Sequence, residues 1–552
     1  MLDHMNADEL AKIGLERNAS GLTITIPDDA NIYAMTVGAQ IAAGNGPRIA
    51  MIFEQDDGVA RWTFDQIDQY STALAAYLRG LGLGRGSLVG LHTGNRPETA
   101  IAHMAICKIG GTAVTLSQLY GPDALAHALN HSEASCLLTI EQAWAPLRHE
   151  ATQRFPHLRQ VLVAGSTGPE ADLADILAAA PPSDFVPELT GADDPALLMY
   201  TSGSTGMPKG ILHGHRVLAA YRPSINLFFN LTLDDGDAVF YSPSDWAWVG
   251  GLLDMLFPAW LAGRPVVTSE ARFKAEWAYG FMARHKVTHT FLPPTAIKRL
   301  ADVDNPRGQY DLSLRVICTG GEALAAETLT WVERELGAVC NEFYGMTEVN
   351  HLIGNCAALY PRRPGSMGVA YPGHDVRLVD ENGVEVERGC EGEIVTRMEA
   401  PTRYLGYLNN AEKEAELRLG DWMRTYDLAV RDEDGYFWYK GRSDDLIKSS
   451  GFRIGPAEIE ECLIAHPAIA EAAVIGKPDK DRGSVVKAFV QLAKGFTPSD
   501  ALTEQLREHV KSRLAPYKAP REIAYVEGFA MTSSGKINRK ALRLAEIADQ
   551  EH

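Results

Sequence analysis

Apolar positions along the first ~190 residues recur in two alternating rhythms. Ile67, Tyr70, Leu74, Tyr77, Leu78 and Leu81 repeat at helical spacing, and Thr63 with Gln66 forms a capping box ahead of them. That helix should stop in the glycine-rich turn of Gly80, Gly82, Gly84 and Gly86, with a short apolar strand following at 88–91. A second helical run over 97–109 ends at Gly110-Gly111, before a strand at 112–116. The alternation predicts α/β layers around a largely parallel sheet. It resumes after Gly191, with strands near 197–200, 238–241, 265–268, 290–292 and 315–318.

From about Gly365 the texture changes to short strands and turns. Residues 376–378 and 393–397 read as strands, and Asp380-Glu381-Asn382-Gly383 between them is a hairpin signal. A last unit combines a helix at 456–465, strands at 472–475 and 485–492, a helix near 502–514 and a basic tail around 535–543. The expected fold class is α/β. A large N-terminal domain of layered α/β subdomains plus a β-rich subdomain would take residues 1–441, and a small α+β domain residues 442–552. The polar junction Gly441-Arg442-Ser443-Asp444-Asp445 suits a hinge.

Composition narrows the function classes. A chain of 552 residues exceeds one ordinary core. Its formal net charge of −19 repels nucleic acid and anionic membranes. The longest apolar neighbourhood, 246–262, is broken by Gly250-Gly251, Asp254 and Pro258; it reads as a buried wall, and no membrane insertion is expected. Residues 1–17 carry scattered charges and no apolar core, so a signal peptide is not expected. The cysteines at 107, 136, 318, 340, 356, 390 and 462 are dispersed and hold no C-x-x-C pair. That disfavours a disulfide framework or zinc site, and a cytoplasmic location is the expectation. His213-Gly214-His215 lacks a nearby third ligand and reads as packing or hydrogen bonding.

Candidate chemistry begins at Tyr200-Thr201-Ser202-Gly203-Ser204-Thr205-Gly206-Met207-Pro208-Lys209-Gly210, after a short apolar strand. Its glycines let backbone approach an anion, while Thr201, Ser202, Ser204, Thr205 and local N–H groups can donate to phosphate oxygens and Lys209 adds a cation. It is not a Walker A loop.

This segment resembles the phosphate loop of the adenylate-forming superfamily, which includes acyl-CoA synthetases, luciferases and peptide-synthetase adenylation domains. The similarity runs from about residue 35 to 545, with several motifs in the expected order. It implies that Gly320-Gly321-Glu322-Ala323 lies against the nucleotide, with Gly321, Glu322 and Ala323 in contact. Glu342-Phe343-Tyr344-Gly345-Met346-Thr347-Glu348 resembles the second signature of the family. Tyr344 would stack on adenine, Glu342 and adjacent backbone (Phe343, Gly345, Met346) would meet its edge, Thr347 would reach the α-phosphate, and Glu348 would hold Mg²⁺. Asp427 and Arg442 match the ribose contacts, although Tyr426 stands where the family has Gly. Asp444 matches the hinge of a mobile C-terminal domain. Ser450, Gly451 and Arg453 match the thiolation segment that meets coenzyme A. Lys536 matches the lysine of the adenylation step, with Ala530 where a proline is usual.

The reaction implied is attack of a carboxylate on the α-phosphate of MgATP, giving acyl-adenylate and pyrophosphate, then displacement of AMP by coenzyme A. Asp245-Trp246-Ala247-Trp248-Val249-Gly250-Gly251 resembles the acid-pocket segment of acetyl- and medium-chain acyl-CoA synthetases. Trp246, Trp248, Gly251 and Gly345 are the substrate candidates. Gly345 stands where acetate-specific relatives place a second tryptophan, so the expected acid is larger than acetate: short or medium-chain, branched or compact aryl. The catalytic candidates are Lys209, Thr347, Glu348 and Lys536. Two alternatives stay open, a ligase that loads a carrier-protein arm or another nucleophile, and a catalytically idle nucleotide-binding relative. Expected partners are a small carboxylic acid, ATP and CoA. Homo-oligomerisation is left open.

Overall fold

Thr63 Oγ1 accepts the Gln66 N–H at 3.2 Å, and the Gln66 side chain accepts the Thr63 N–H at 2.9 Å. This reciprocal cap starts the helix Phe64–Gly80, which buries Phe64, Ile67, Leu74 and Leu78. The helix Pro97–Lys108 packs beside it, buried on every side. Their junction is closed by the Lys108 ammonium, which donates to Asp68 at 2.7 Å and Thr72 Oγ1 at 2.6 Å. Burial pushes that amine down to about 8, against the pull of Asp68.

The computed structural model describes residues 2, 4–19, 21–56, 58–201, 208–322, 324–443, 445, 447–449, 452–479, 483–531 and 537–550. They form two units. One takes in the described residues up to Asp375 together with Arg397–Glu416; the other takes in Val376–Thr396 and the chain from Leu417 onward. The sequence boundary expected at 441/442 falls in the second unit, at the end of the strand Phe437–Arg442.

The first unit is built on two large sheets. One has eight strands, with Thr112–Thr115, Leu88–His92, Cys136–Ile140 and Gln160–Ala164 in its parallel body. Pro195–Thr201 joins that body in parallel, and Lys209–Gly214 then turns the edge antiparallel. The other has nine strands. Ile49–Gln55, Val266–Ser269, Phe240–Tyr241, His289–Phe291, Val316–Gly320 and Val339–Met346 run parallel, and Asn350–Gly354 then Val369–Ala370 extend one side antiparallel. Strands buried on both faces need continuous apolar runs, which explains why 197–200 and 315–318 were visible as strands without alternation.

The apolar stretch expected as a wall is a helix in three parts: Val249–Gly251, a π-helical stretch Leu252–Leu256 and Phe257–Leu261. Leu252, Leu253, Met255, Leu256, Phe257 and Trp260 are fully buried. No described helix is long and apolar enough to cross a membrane.

The second unit is antiparallel for the most part. Val376–Val379 pairs with Glu391–Arg397, and Trp422–Arg431 pairs with Phe437–Arg442. The Asn-Gly signal makes a tight local turn, with Gly383 at φ +80° donating its N–H to Asp380 O at 3.1 Å. The return is one bridge, Val379 to Glu385, and the long strand partner arrives later. A second sheet holds Ile447–Ser449, Phe452–Ile454, Ile469–Asp479, Gly483–Leu492 and Glu522–Tyr525. Helices Pro456–Ile464 and Asp500–Arg513 cover it. The chain is therefore a large α/β unit with mixed sheets followed by a smaller α+β one.

Candidate active site

The segment 200–210 begins and ends as a hairpin: Thr201 lies opposite Lys209, and Tyr200 opposite Gly210. Ser202, Gly203, Ser204, Thr205 and Gly206 lie outside the described residues. The flanking ends are tied to one helix, Pro122–Ser132. Tyr200 donates its hydroxyl to Ala128 O at 3.1 Å and shares a 2.9 Å bond with His131 Nδ1. His127 Nε2–H donates to Pro208 O at 2.9 Å. The two imidazoles stack with centroids 5.5 Å apart. Both ends of the segment thus keep a set separation.

Lys209 sits at the exit of that segment. Partial burial and the nearby Lys413 ammonium lower its pKa, while Glu416 and Glu348 act in the opposite direction. Two carboxylates, Glu416 and Glu348, act on the charge of this amine.

The second signature occupies the strand Val339–Met346 and the turn after it, where Val349 N–H donates to Met346 O at 3.1 Å. Thr347 lies on this turn, half-buried, and Glu348 is buried. Tyr407 donates its hydroxyl to Glu348 Oε1, and Tyr404 N–H donates to Glu348 O at 2.8 Å. Tyr407 belongs to the short strand Gly406–Tyr407, which pairs with Ile211 and Leu212 beyond Lys209. Glu348, Tyr407 and Lys209 therefore share one corner of the first unit.

Side chains alternate along Val339–Met346. Glu342 is buried and accepts the Leu324 N–H at 3.2 Å; burial pushes its carboxyl up to about 8, with that hydrogen bond opposing. Tyr344 lies on the same face of the strand and is 9% exposed. The Phe343 ring turns to the other side, edge-on to Phe228 at 5.0 Å and 3.6 Å from the His351 ring centroid. It packs on Gly320, where any Cβ would enter the ring. Gly321 holds φ +86° and is exposed, and Glu322 is half-buried. Ala323 lies outside the described residues.

Of the acid-pocket candidates, the Trp246 ring is 1% exposed in the core, while Trp248 is half-buried and edge-on to Tyr120 at 6.0 Å. A Cβ at Gly250 would meet Phe291 Cε1 at 2.5 Å, and one at Gly251 would meet Asp245 O at 2.5 Å. At Gly345 the Asn350 carbonyl oxygen already occupies the Cβ position. Gly345 is thus demanded by the close return of the chain.

In the second unit Asp427 lies opposite Arg442 across an antiparallel pair. Its Oδ1 accepts from Tyr439 OH at 3.2 Å and lies 3.4 Å from Arg442 Nη1. Tyr426 holds φ +62°, a conformation suited to the glycine that the family has there. Its N–H donates to Glu393 Oε1 at 3.0 Å, and the Arg424 guanidinium lies 4.8 Å above its ring.

Ser449 pairs with Phe452; Ser450 and Gly451 stand between them in the sequence. They lie outside the described residues, as do Asp444 and Lys536; Arg453 is described by its backbone, opposite Lys448. Met531 bridges Ile537 on either side of the segment that carries Lys536. Tyr407, Tyr439, His127 and His131 were not singled out by the sequence. Each acts through a partner distant in the chain, and none stands in a motif of its own.

A model described as "AMP-binding enzyme" matches residues 39–408, and one described as "AMP-binding enzyme C-terminal domain" matches 458–536. The chain is 34% identical over 508 residues to acetyl-coenzyme A synthetase of Bacillus subtilis, covering 91% of this chain and 88% of that one. It is 35% identical over 499 residues to the human mitochondrial acyl-coenzyme A synthetase ACSM4, covering 88% and 84%. Among solved structures, the anthranilate CoA ligase AuaEII in complex with anthranoyl-AMP superposes with a TM-score of 0.85 at 29% identity, over 96% of this chain and 99% of that one. The chain belongs to the AMP-binding enzyme family, as an adenylate-forming ligase that acts on a carboxylic acid through an acyl-AMP intermediate and is related to acetyl- and medium-chain acyl-CoA synthetases.

Proposed function

We propose that this enzyme is an acid–thiol ligase that converts a carboxylic acid larger than acetate, MgATP and coenzyme A into acyl-CoA, AMP and pyrophosphate. The observation that carries the reading is the corner formed by Lys209, Glu348 and Tyr407, beside the hairpin ends Thr201 and Lys209. A cation, a hydroxyl and an oriented carboxylate meet there, which suits a polyphosphate with a divalent ion.

Glu348 fits such an ion. It is one buried carboxylate with an oxygen already aligned by Tyr407, and Mg²⁺ takes few protein ligands and fills the rest with phosphate oxygens and water. Magnesium supplies charge neutralisation on the phosphates. In the first half-reaction a carboxylate oxygen bonds to the α-phosphorus and pyrophosphate leaves. Thr347 and Lys209 would hold phosphoryl oxygens in line, and Lys536 would meet the charge that develops. In the second, the thiol sulfur bonds to the acyl carbon and AMP leaves. The thiolation role falls to Ser450, Gly451 and Arg453 by family resemblance, and relatives named as CoA ligases and CoA synthetases support it.

The test is ATP–pyrophosphate exchange over a panel of carboxylic acids, followed by AMP release with and without CoA. Exchange that requires the acid, with AMP release that requires CoA, is expected. Acid-dependent exchange with AMP release indifferent to CoA would favour the carrier-arm ligase instead.

A further inference from the structure

Two segments assigned to different ligands meet at one stretch of chain. The strand Thr112–Thr115 ends there, and the helix Pro122–Ser132 begins after Gly121. The start of this stretch is fastened to the acid-pocket segment. Thr115 donates its hydroxyl to Ala247 O at 2.8 Å, and Ser117 donates to Asp245 Oδ2 at 2.6 Å. Ser117 also shapes the turn that follows. Its Oγ accepts the Leu119 N–H at 3.1 Å, and its carbonyl accepts the Tyr120 N–H at 3.0 Å. The turn brings the Tyr120 ring edge-on to Trp248, with centroids 6.0 Å apart.

The same side chain reaches the segment assigned to ATP. Tyr120 donates its hydroxyl to Tyr200 O at 3.3 Å, one residue before the strand Pro195–Thr201 ends and the phosphate-loop candidate begins. The helix after Tyr120 holds the other described ends of that loop, through Ala128, His131 and His127. Tyr120 and Trp248 are both half-buried, and Leu119, adjacent in the chain, is 72% exposed. This contact therefore lies outside the sealed core that holds Trp246. A carboxylate can attack the α-phosphorus only from a set distance and direction, so the spacing of these two segments bears on the reaction.

We infer that Tyr120 is a positioning residue that sets the acid-binding segment against the root of the nucleotide loop. Its ring braces Trp248 and so acts on the acid. Its hydroxyl holds the Tyr200 carbonyl and so acts on ATP. The inference rests on the reading of residues 245–251 and 201–209 as the acid and ATP segments of an adenylate-forming ligase.

The test measures KM for the acid and KM for ATP in ATP–pyrophosphate exchange, with the acid that supports the fastest exchange. Tyr120→Phe keeps the ring and removes the hydroxyl. It should raise KM for ATP about threefold to tenfold, as expected for one net hydrogen bond, and leave KM for the acid unchanged. Tyr120→Leu removes both halves and should raise KM for the acid by a similar factor as well. A tyrosine that served the fold alone would move both constants together, or neither. Tyr120→Phe with both constants unchanged, or both raised alike, would overturn the inference, as would Tyr120→Leu with an unchanged KM for the acid. Each of these results leaves the ligase reading intact. Absence of exchange with every acid in the wild-type enzyme would overturn both. Tyr120→Phe decides the matter even where Tyr120→Leu does not fold.

Discussion

The hydroxyl of Tyr407 is bonded to the carboxylate of Glu348, across 59 residues of chain. The bond holds Oε1 and so restricts how the Glu348 carboxylate can turn. Burial, followed by the Glu348 charge, raises the phenol far above its ordinary pKa, so it remains a donor throughout the working range. Tyr407→Phe should leave the ring packed on Tyr404, 5.3 Å away, and remove only the donor. Partners that orient a metal-binding carboxylate are worth roughly 10–100-fold in metal affinity or activity. The expected result is a loss of that order in acid-dependent exchange at limiting Mg²⁺, partly recovered at high Mg²⁺. A magnesium titration of variant and wild type checks it, and superimposable curves would refute it.

Tyr426 offers a test of backbone strain. Its φ of +62° costs an L-residue about 1–2 kcal/mol, and glycine escapes that cost. Tyr426→Ala keeps the strain and loses the stacking with Arg424, whereas Tyr426→Gly loses the stacking but relieves the strain. The glycine variant should therefore be more stable than the alanine variant by ~1 kcal/mol, seen as a higher urea midpoint. Equal midpoints would mean that the second unit adjusts its turn at no cost.

Much of the architecture was legible because its causes are local. The Thr63–Gln66 cap needs four residues, and the strand before Thr201 is a run of apolar side chains. The order of signatures from Tyr200 to Lys536 pointed to adenylation before any geometry was known. What could not be read is what depends on partners distant in the chain. That Lys209 starts a strand paired with Thr201 follows from sheet edges. Tyr407 is an ordinary tyrosine until Glu348 is placed beside it. Asp254 registered only as an interruption of an apolar run, since its partners Tyr221 and His351 come from other elements. Gly345 was legible as a missing ring, but the reason for the glycine is the Asn350 carbonyl, which only the fold brings there.

That last relationship is itself testable. A methyl group at 345 cannot be accommodated by rotating a side chain, because the obstacle is backbone in a paired strand. Gly345→Ala should cost ~3 kcal/mol, the upper part of the range for overpacking, and should distort the turn that carries Thr347 and Glu348. Gly321→Ala makes a useful contrast: its Cβ would meet nothing within 4 Å, so only the strain at φ +86° is added, about 1–2 kcal/mol. Thermal and urea unfolding should rank wild type above Gly321→Ala, and Gly321→Ala above Gly345→Ala. The reverse order of the two variants would show that the strand return is soft.

Glu342 makes the fold sensitive to pH in a defined direction. Burial raises its pKa from 4.5 to about 8, opposed only by the Leu324 N–H. Between those values the folded state keeps a proton that the unfolded state has released, so folding takes up a proton and stability falls as pH rises. Below about 4.5 both states are protonated and the contribution is fully present; above about 8 both are ionised and it is lost. Glu342→Gln cannot ionise and lacks this slope. Relative to wild type, the variant should gain ~1.4 kcal/mol per pH unit across that interval, whatever its offset from the lost carboxyl. Urea unfolding of both proteins at pH 5.5 and 7.5 measures the change in their difference. A difference that stays constant would mean that Glu342 ionises in the folded protein near its ordinary value, with its charge met by donors beyond Leu324.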